Sequence, residues 1–126
     1  MSDKPIVLIV DDEPDFAEFI GEVVEETGFN CKLAGNGQEL KDFYSQAKPV
    51  LIFLDIVMPD VDGVEALQWL AEQNCKAPIV LLSGHDPLYL KMADMVGSGN
   101  SLNIIANLRK PVRVDQIEKL LNDLTL

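Results

Sequence analysis

The run Val50-Leu51-Ile52-Phe53-Leu54 carries no polar side chain and ends on a carboxylate, Asp55. An unbroken apolar run of this length suits a strand covered on both faces, as in a parallel sheet between two layers of helices. Met58-Pro59-Asp60 and Asp62-Gly63 then signal a turn. A carboxylate at such an exit stands at the carboxyl edge of the sheet, where open α/β sheets bind ligands. Taken alone, Asp55 reads more plainly as a helix cap or turn acid after a core strand. Its weight depends on what the other strand ends carry.

The same pattern recurs along the chain. Ile6 to Val10 reads as the first strand and ends in Asp11-Asp12-Glu13. Pro14 opens a helix at the position where its missing N–H costs nothing. Phe16, Ile20, Val23, Val24 and Thr27 follow at helical spacing, and Gly28 stops the helix. Asn30 to Ala34 is a short second strand. Asn36 and Glu39 have capping-box spacing at the start of a second helix whose inner face carries Leu40, Phe43 and Tyr44. After the Val50 strand, Val64, Leu67, Leu70 and Ala71 mark a third helix. Pro78 to Leu82 is a fourth strand ending at Ser83-Gly84. Asp86-Pro87 opens a fourth helix that runs to about Val96 before Gly97. Leu102 to Leu108 reads as a fifth strand leading into Arg109-Lys110-Pro111. The final helix carries Val114, Ile117, Leu120, Leu121 and Leu124. Five alternations of strand and helix predict an α/β fold, a doubly wound five-stranded parallel sheet with helices on both faces. The strand order 2-1-3-4-5 is the common solution at this size.

Composition limits the rest. A chain of 126 residues with 48% hydrophobic residues fits a single domain, with a folded core over residues 5–124. No apolar run is long enough to span a membrane. The start, MSDKPIVLIVDDE, lacks the basic and extended apolar regions of a signal peptide, so a cytoplasmic location is expected. Cys31 and Cys75 form no CxxC and read as reduced core cysteines. The formal net charge of −11 argues against direct contact with nucleic acid or an anionic membrane. Metal cations and proteins are the expected partners.

In a parallel sheet all strand exits lie along one edge. Asp11 and Asp12 leave strand one, Asp55 strand three, Ser83 strand four and Lys110 strand five. Strands one and three are neighbours at the switch point of the expected order. Carboxylates converging there repel one another unless a cation intervenes. Mg²⁺ suits such oxygen ligands, because it takes few carboxylates and keeps waters that an incoming phosphate can replace. Lys110 supplies a point charge for a phosphoryl oxygen or for Asp55 itself, and Ser83 supplies a hydroxyl donor. Asp55 then has the surroundings of a nucleophile toward phosphorus. Each piece alone has a plain alternative, the acidic pair as a solvated loop and Lys-Pro as a turn. Their joint placement on successive strand ends favours the site.

With Asp11-Asp12, Asp55, Met58-Pro59, Asp62-Gly63, Ser83-Gly84 and Lys110-Pro111 in these positions, the chain resembles a receiver domain of a two-component response regulator. The resemblance covers nearly the whole chain and implies a flavodoxin-like (CheY-like) fold. It implies a phosphoprotein of signal transduction rather than an enzyme acting on an outside substrate. Asp55 would take phosphate from a histidine kinase or phosphotransfer protein. Asp12 and Asp55 would bind Mg²⁺ directly with the carbonyl of Val57, and Asp11 would act through a water. Ser83 and Lys110 would contact the phosphoryl group, and the Lys110-Pro111 bond would be cis. Signal would pass to a C-terminal output domain or partner protein. A homodimer through the fourth helix, fifth strand and final helix would be an alternative output. Receivers usually carry an aromatic three residues before the lysine; here that position is Asn107. The segment Ser83 to Pro111 also resembles receivers joined to EAL cyclic-di-GMP phosphodiesterase domains.

Other classes fit less well. A Mg²⁺-dependent phosphatase of the haloacid dehalogenase type needs an Asp-x-Asp pair, whereas Asp55 is followed by Ile56-Val57. A receiver-fold scaffold that signals without phosphate has no need of Asp55, Ser83 and Lys110 together. A flavin-binding protein of this fold would place its phosphate loop where Asp11-Asp12-Glu13 repels phosphate.

Overall fold

A computed structural model describes residues 4–56, 63–83 and 102–124. The chain runs β1 (Ile6–Val10), α1 (Pro14–Glu26), β2 (Asn30–Ala34), α2 (Gly37–Ala47), β3 (Leu51–Asp55), α3 (Gly63–Glu72), β4 (Ile79–Ser83), β5 (Ile104–Arg109) and a C-terminal helix, here α4 (Val114–Asn122). All strand pairs are parallel, in the order β2-β1-β3-β4-β5. The fold class and the strand order are those expected. The turn after Asp55 at Met58-Pro59 and Asp62, and the fourth helix expected from Asp86-Pro87 to Val96, lie outside the described residues.

Alternation along the central strands divides the core in two. Leu8, Val10, Ile52, Leu54, Ile79 and Leu81 face α2 and α3, where they meet Leu40, Ala66, Leu67 and Leu70. Val7, Ile9, Leu51, Phe53, Val80 and Leu82 face α1 and α4, where they meet Ala17, Ile20, Val24, Ile117 and Leu121. Both faces of β1, β3 and β4 are therefore dry, which is why these strands read as unbroken apolar runs.

The helix ends follow their local chemistry. α1 opens on Pro14. It closes at Thr27, followed by Gly28 at φ +103°, a region that favours glycine. α1 passes so close to β2 that a Cβ at Gly21 would sit 3.3 Å from Cys31 Sγ. At α2 the Asn36 side chain accepts from the Glu39 N–H at 2.8 Å. The Glu39 carboxylate reaches back to the N–H of Gly35 at 2.7 Å rather than to that of Asn36. The capping box is thus present but displaced by one residue.

One expectation needs correction. β5 runs from Ile104 to Arg109 rather than from Leu102 to Leu108, and half-buried and exposed residues alternate along it. It is an edge strand, and its register against β4 shifts between Ile79 and Val80, where Ile105 is left without a partner and 41% exposed. The last helix carries Val114 as expected, and this residue is 42% exposed because it opens the first turn, beyond the region that Ile117 and Leu121 cover. Phe53→Ala should lower the unfolding free energy by about 3–5 kcal/mol, since it empties a fully buried site. Val114→Ala should change it by no more than about 0.5 kcal/mol. Urea titration of both variants checks the contrast.

Candidate functional site

Val10 stands opposite Leu54 in the β1–β3 register, so the residues leaving these strands, Asp11 and Asp55, come side by side. The ladder carries on past both exits. The Asp11 N–H donates to the Ala34 carbonyl at 2.9 Å, and the Ile56 N–H donates to that of Leu82 at 3.1 Å. Asp11 is in phase with Val7 and Ile9, and Asp55 with Leu51 and Phe53, which puts both on the side of the sheet that α1 and α4 cover. Asp11 and Asp55 are buried at 2% and 3% exposure, whereas Asp12 is exposed. Carboxylate oxygens of Asp11, Asp12 and Asp55 all lie within 4.8 Å of one another.

Lys110 completes the cluster from the edge of the sheet, just beyond β5. Its Nζ lies 2.7 Å from Glu13 Oε1, 2.9 Å from Asp11 Oδ2 and 3.5 Å from Asp55 Oδ2. The same ammonium sits 4.5 Å from the centre of the Phe16 ring. The Lys110-Pro111 bond is cis. Burial penalises the ammonium, but the hydrogen bond to Glu13, the ion pair with Asp11 and the charge of Asp55 outweigh that penalty and hold its pKa above the ordinary lysine value.

Burial pushes the Asp11 carboxyl above the ordinary value of 3.8; the Glu13 N–H and Lys110 offset only part of this, and the Glu13 carboxylate adds to it. Asp11 Oδ1 accepts the Glu13 N–H at 2.9 Å. Asp11 Oδ2 is fully buried and has the Lys110 ion pair but no hydrogen bond of good geometry. Hard oxygen donors, gathered at one point with one buried oxygen left short of a hydrogen bond, fit a divalent cation. Asp11, Asp12 and Asp55 are the residues that could hold it.

Ser83 ends β4 opposite Arg109, one step past the Leu82 that pairs with Asp55, and its side chain lies outside the described atoms. Val57, with its expected carbonyl ligand, lies outside the described residues. Asn107 is on β5 opposite Leu81 and exposed. Sequence reasoning missed two members of the cluster, Glu13 and Phe16. Both read as ordinary features of a helix start, and no spacing rule connects either to Lys110, which lies 97 residues beyond Glu13.

Residues 7–122 match the family described as the response regulator receiver domain. The chain belongs to this family. Receiver domains are phosphoacceptor signalling modules rather than classical enzymes, and a histidine kinase is the partner that membership implies. The chain is 32% identical over 127 residues to response regulator Rre1 of Synechocystis, covering 98% of this chain and 53% of that protein. It is 28% identical to the probable transcriptional regulatory protein TcrX of Mycobacterium tuberculosis, covering 88% of this chain and 45% of that protein. This chain therefore spans about half the length of these two relatives. The receiver domain of the Francisella response regulator 1452 superposes with a TM-score of 0.79 at 28% identity, over 94% of this chain and 93% of that one. No helix among the described residues is long and apolar enough to cross a membrane.

The raised pKa of Asp11 has a sign that can be tested. The folded state binds this proton more tightly than the unfolded chain does. That contribution to stability is fully present below pH 3.8 and is lost as pH rises through the folded-state pKa. Ionised Asp11 thus costs stability at neutral pH. In metal-free buffer at pH 7, Asp11→Asn should raise the urea midpoint above that of the wild type. The gain should shrink as the buffer is brought toward pH 4.

Proposed function

We propose that Asp55 accepts the phosphoryl group. The observation that carries this reading is a buried carboxylate at the β3 exit, with an ammonium 3.5 Å away and two further carboxylates within 4.8 Å. The donor is a phosphohistidine on a histidine kinase or on a phosphotransfer protein. An Asp55 oxygen forms the new O–P bond as the N–P bond breaks, and the electron pair leaves with the histidine nitrogen. Lys110 stays protonated and offsets charge on the phosphoryl oxygens. Asp12 and Asp55, with the Val57 carbonyl, are proposed to hold Mg²⁺, and Asp11 to act through a water. Bound there, Mg²⁺ would neutralise charge on the transferring group. Ser83 is proposed to donate its hydroxyl to a phosphoryl oxygen.

The rest of the reading concerns context. The chain is proposed to act as one domain in the cytoplasm, without direct contact with nucleic acid or membrane. Its output face would comprise the segment after Ser83, β5 and α4, docking an output domain, a partner or a second copy. An EAL-linked parent protein is the narrower proposal, resting on the likeness of Ser83 to Pro111. Because Asn107 replaces the usual aromatic, the switch would run through Ser83 and the segment after it, pulled by new charge on Asp55.

Incubation with acetyl phosphate and Mg²⁺ should add one phosphate to the intact mass, and incubation without Mg²⁺ should not. Asp55→Asn should abolish the shift. Asp12→Ala should remove the Mg²⁺ dependence, and Asp11→Ala should only weaken it. A full mass shift in Asp55→Asn would falsify the assignment. For the output, a beryllofluoride mimic should change amide exchange most between Ser83 and Asn107. Changes concentrated in α1 and α2 would overturn that choice of face.

A further inference from the structure

We propose that Glu13 is a resting-state clamp on Lys110, a positioning residue that holds the ammonium away from Asp55 until a phosphoryl group competes for it. This rests on Asp55 being the acceptor. Lys110 Nζ donates to Glu13 Oε1 at 2.7 Å but stands 3.5 Å from Asp55 Oδ2. The nearer partner is thus not the residue on which the reaction builds charge.

The start of α1 is arranged for this contact. Glu13 occupies the N-cap, yet its side chain makes no capping hydrogen bond. Its N–H is bound instead by Asp11 Oδ1 at 2.9 Å, which ties the Glu13 backbone to the acidic cluster. Phe16 follows three residues later, and its ring lies 4.5 Å from the same ammonium. Residues three apart at a helix start lie on one side, so carboxylate and ring form a single seat for the cation.

Burial sets the strength of the clamp. The Glu13 side chain is 62% exposed, whereas those of Asp11 and Asp55 are 0% and 4% exposed. A solvent-screened pair is weak. It biases where the ammonium rests yet yields to a phosphoryl group, which brings a charge of about −1.5 to −2. No covalent bond changes in the exchange. Lys110 turns from Glu13 toward the phosphorylated Asp55, and the start of α1 is released from the segment after β5. The clamp therefore slows phosphorylation and shortens the life of the phosphorylated form.

The test measures the initial rate of phosphorylation of the full chain by acetyl phosphate with Mg²⁺, by intact mass, alongside the thermal midpoint. Glu13→Gln should raise the rate roughly two- to fivefold, the range that a screened ion pair supports. It should also lengthen the phosphate lifetime after donor removal. In a Lys110→Ala background the same substitution should be silent, because the two residues act as one unit. Equal acceleration in both backgrounds would mean general repulsion of the anionic donor and would overturn the clamp. An unchanged or slower rate in the otherwise wild-type protein would overturn it too. Where the Lys110→Ala protein reacts too slowly to read, Glu13→Asp decides. That variant keeps the charge but loses reach, so it should accelerate like Glu13→Gln, and wild-type behaviour would sink the proposal. Asp55→Asn is run in parallel; labelling there would defeat the acceptor assignment itself, a failure distinct from any result at Glu13.

Discussion

The site depends on one cation held among carboxylates. Lys110 reaches Asp11, Glu13 and Asp55 at distances from 2.7 to 3.5 Å, on the edge where β1 and β3 release their acids. Without it, two buried carboxylates would face each other across a short gap in a poorly solvated place. With it, the cluster still carries more negative than positive charge. That surplus makes the site receptive to a metal ion. The site is electrostatically incomplete by construction, and the raised pKa of Asp11, driven first by burial, reports part of the cost.

The sheet supplies the rigidity that this arrangement needs. Strands dry on both faces leave little freedom of register, because a slip by one residue would send Leu51 and Phe53 to the α2–α3 side and Ile52 and Leu54 to the α1–α4 side. The same alternation decides where the acids point. Asp11 and Asp55 inherit the phase of the residues that pack against α1 and α4. Glu13 and Phe16 lie at the start of α1, and Lys110 lies just before α4. Core packing and site geometry are therefore set by one pattern.

This explains what was legible in the sequence. The ends of β1 and β2 were readable because each run is bounded by acids, glycine or asparagine, and β3 was readable to within one residue. The convergence of Asp11, Asp12, Asp55 and Lys110 followed from strand order alone, since parallel strands deliver their exits to one edge. The edge position of β5 was legible from the strand order, but its bounds were not, because the apolar run from Leu102 conceals a register shift at Ile105. Val114 was legible as a residue of the last helix but its exposure was not, because helical spacing gives the direction of a side chain and not how far its partner surface extends. Glu13 could not be placed in the site, because the contact that defines its role spans 97 residues and runs between two loops.

Burial divides the acidic residues by task. Asp11 and Asp55 are enclosed, so a charge change at either is screened little and is felt through the packed strand ends. Asp12 and Glu13 are exposed, so solvent weakens their individual interactions and they can exchange partners at low cost. A receiver must hold one chemical centre in fixed geometry and still let its surroundings change when phosphate arrives. The step from buried Asp11 to exposed Asp12 and Glu13, along three consecutive residues, puts the fixed and the exchangeable parts of the site side by side on one loop. Lys110 is the group that can move between them, because its flexible stem reaches both while its charge persists in either position.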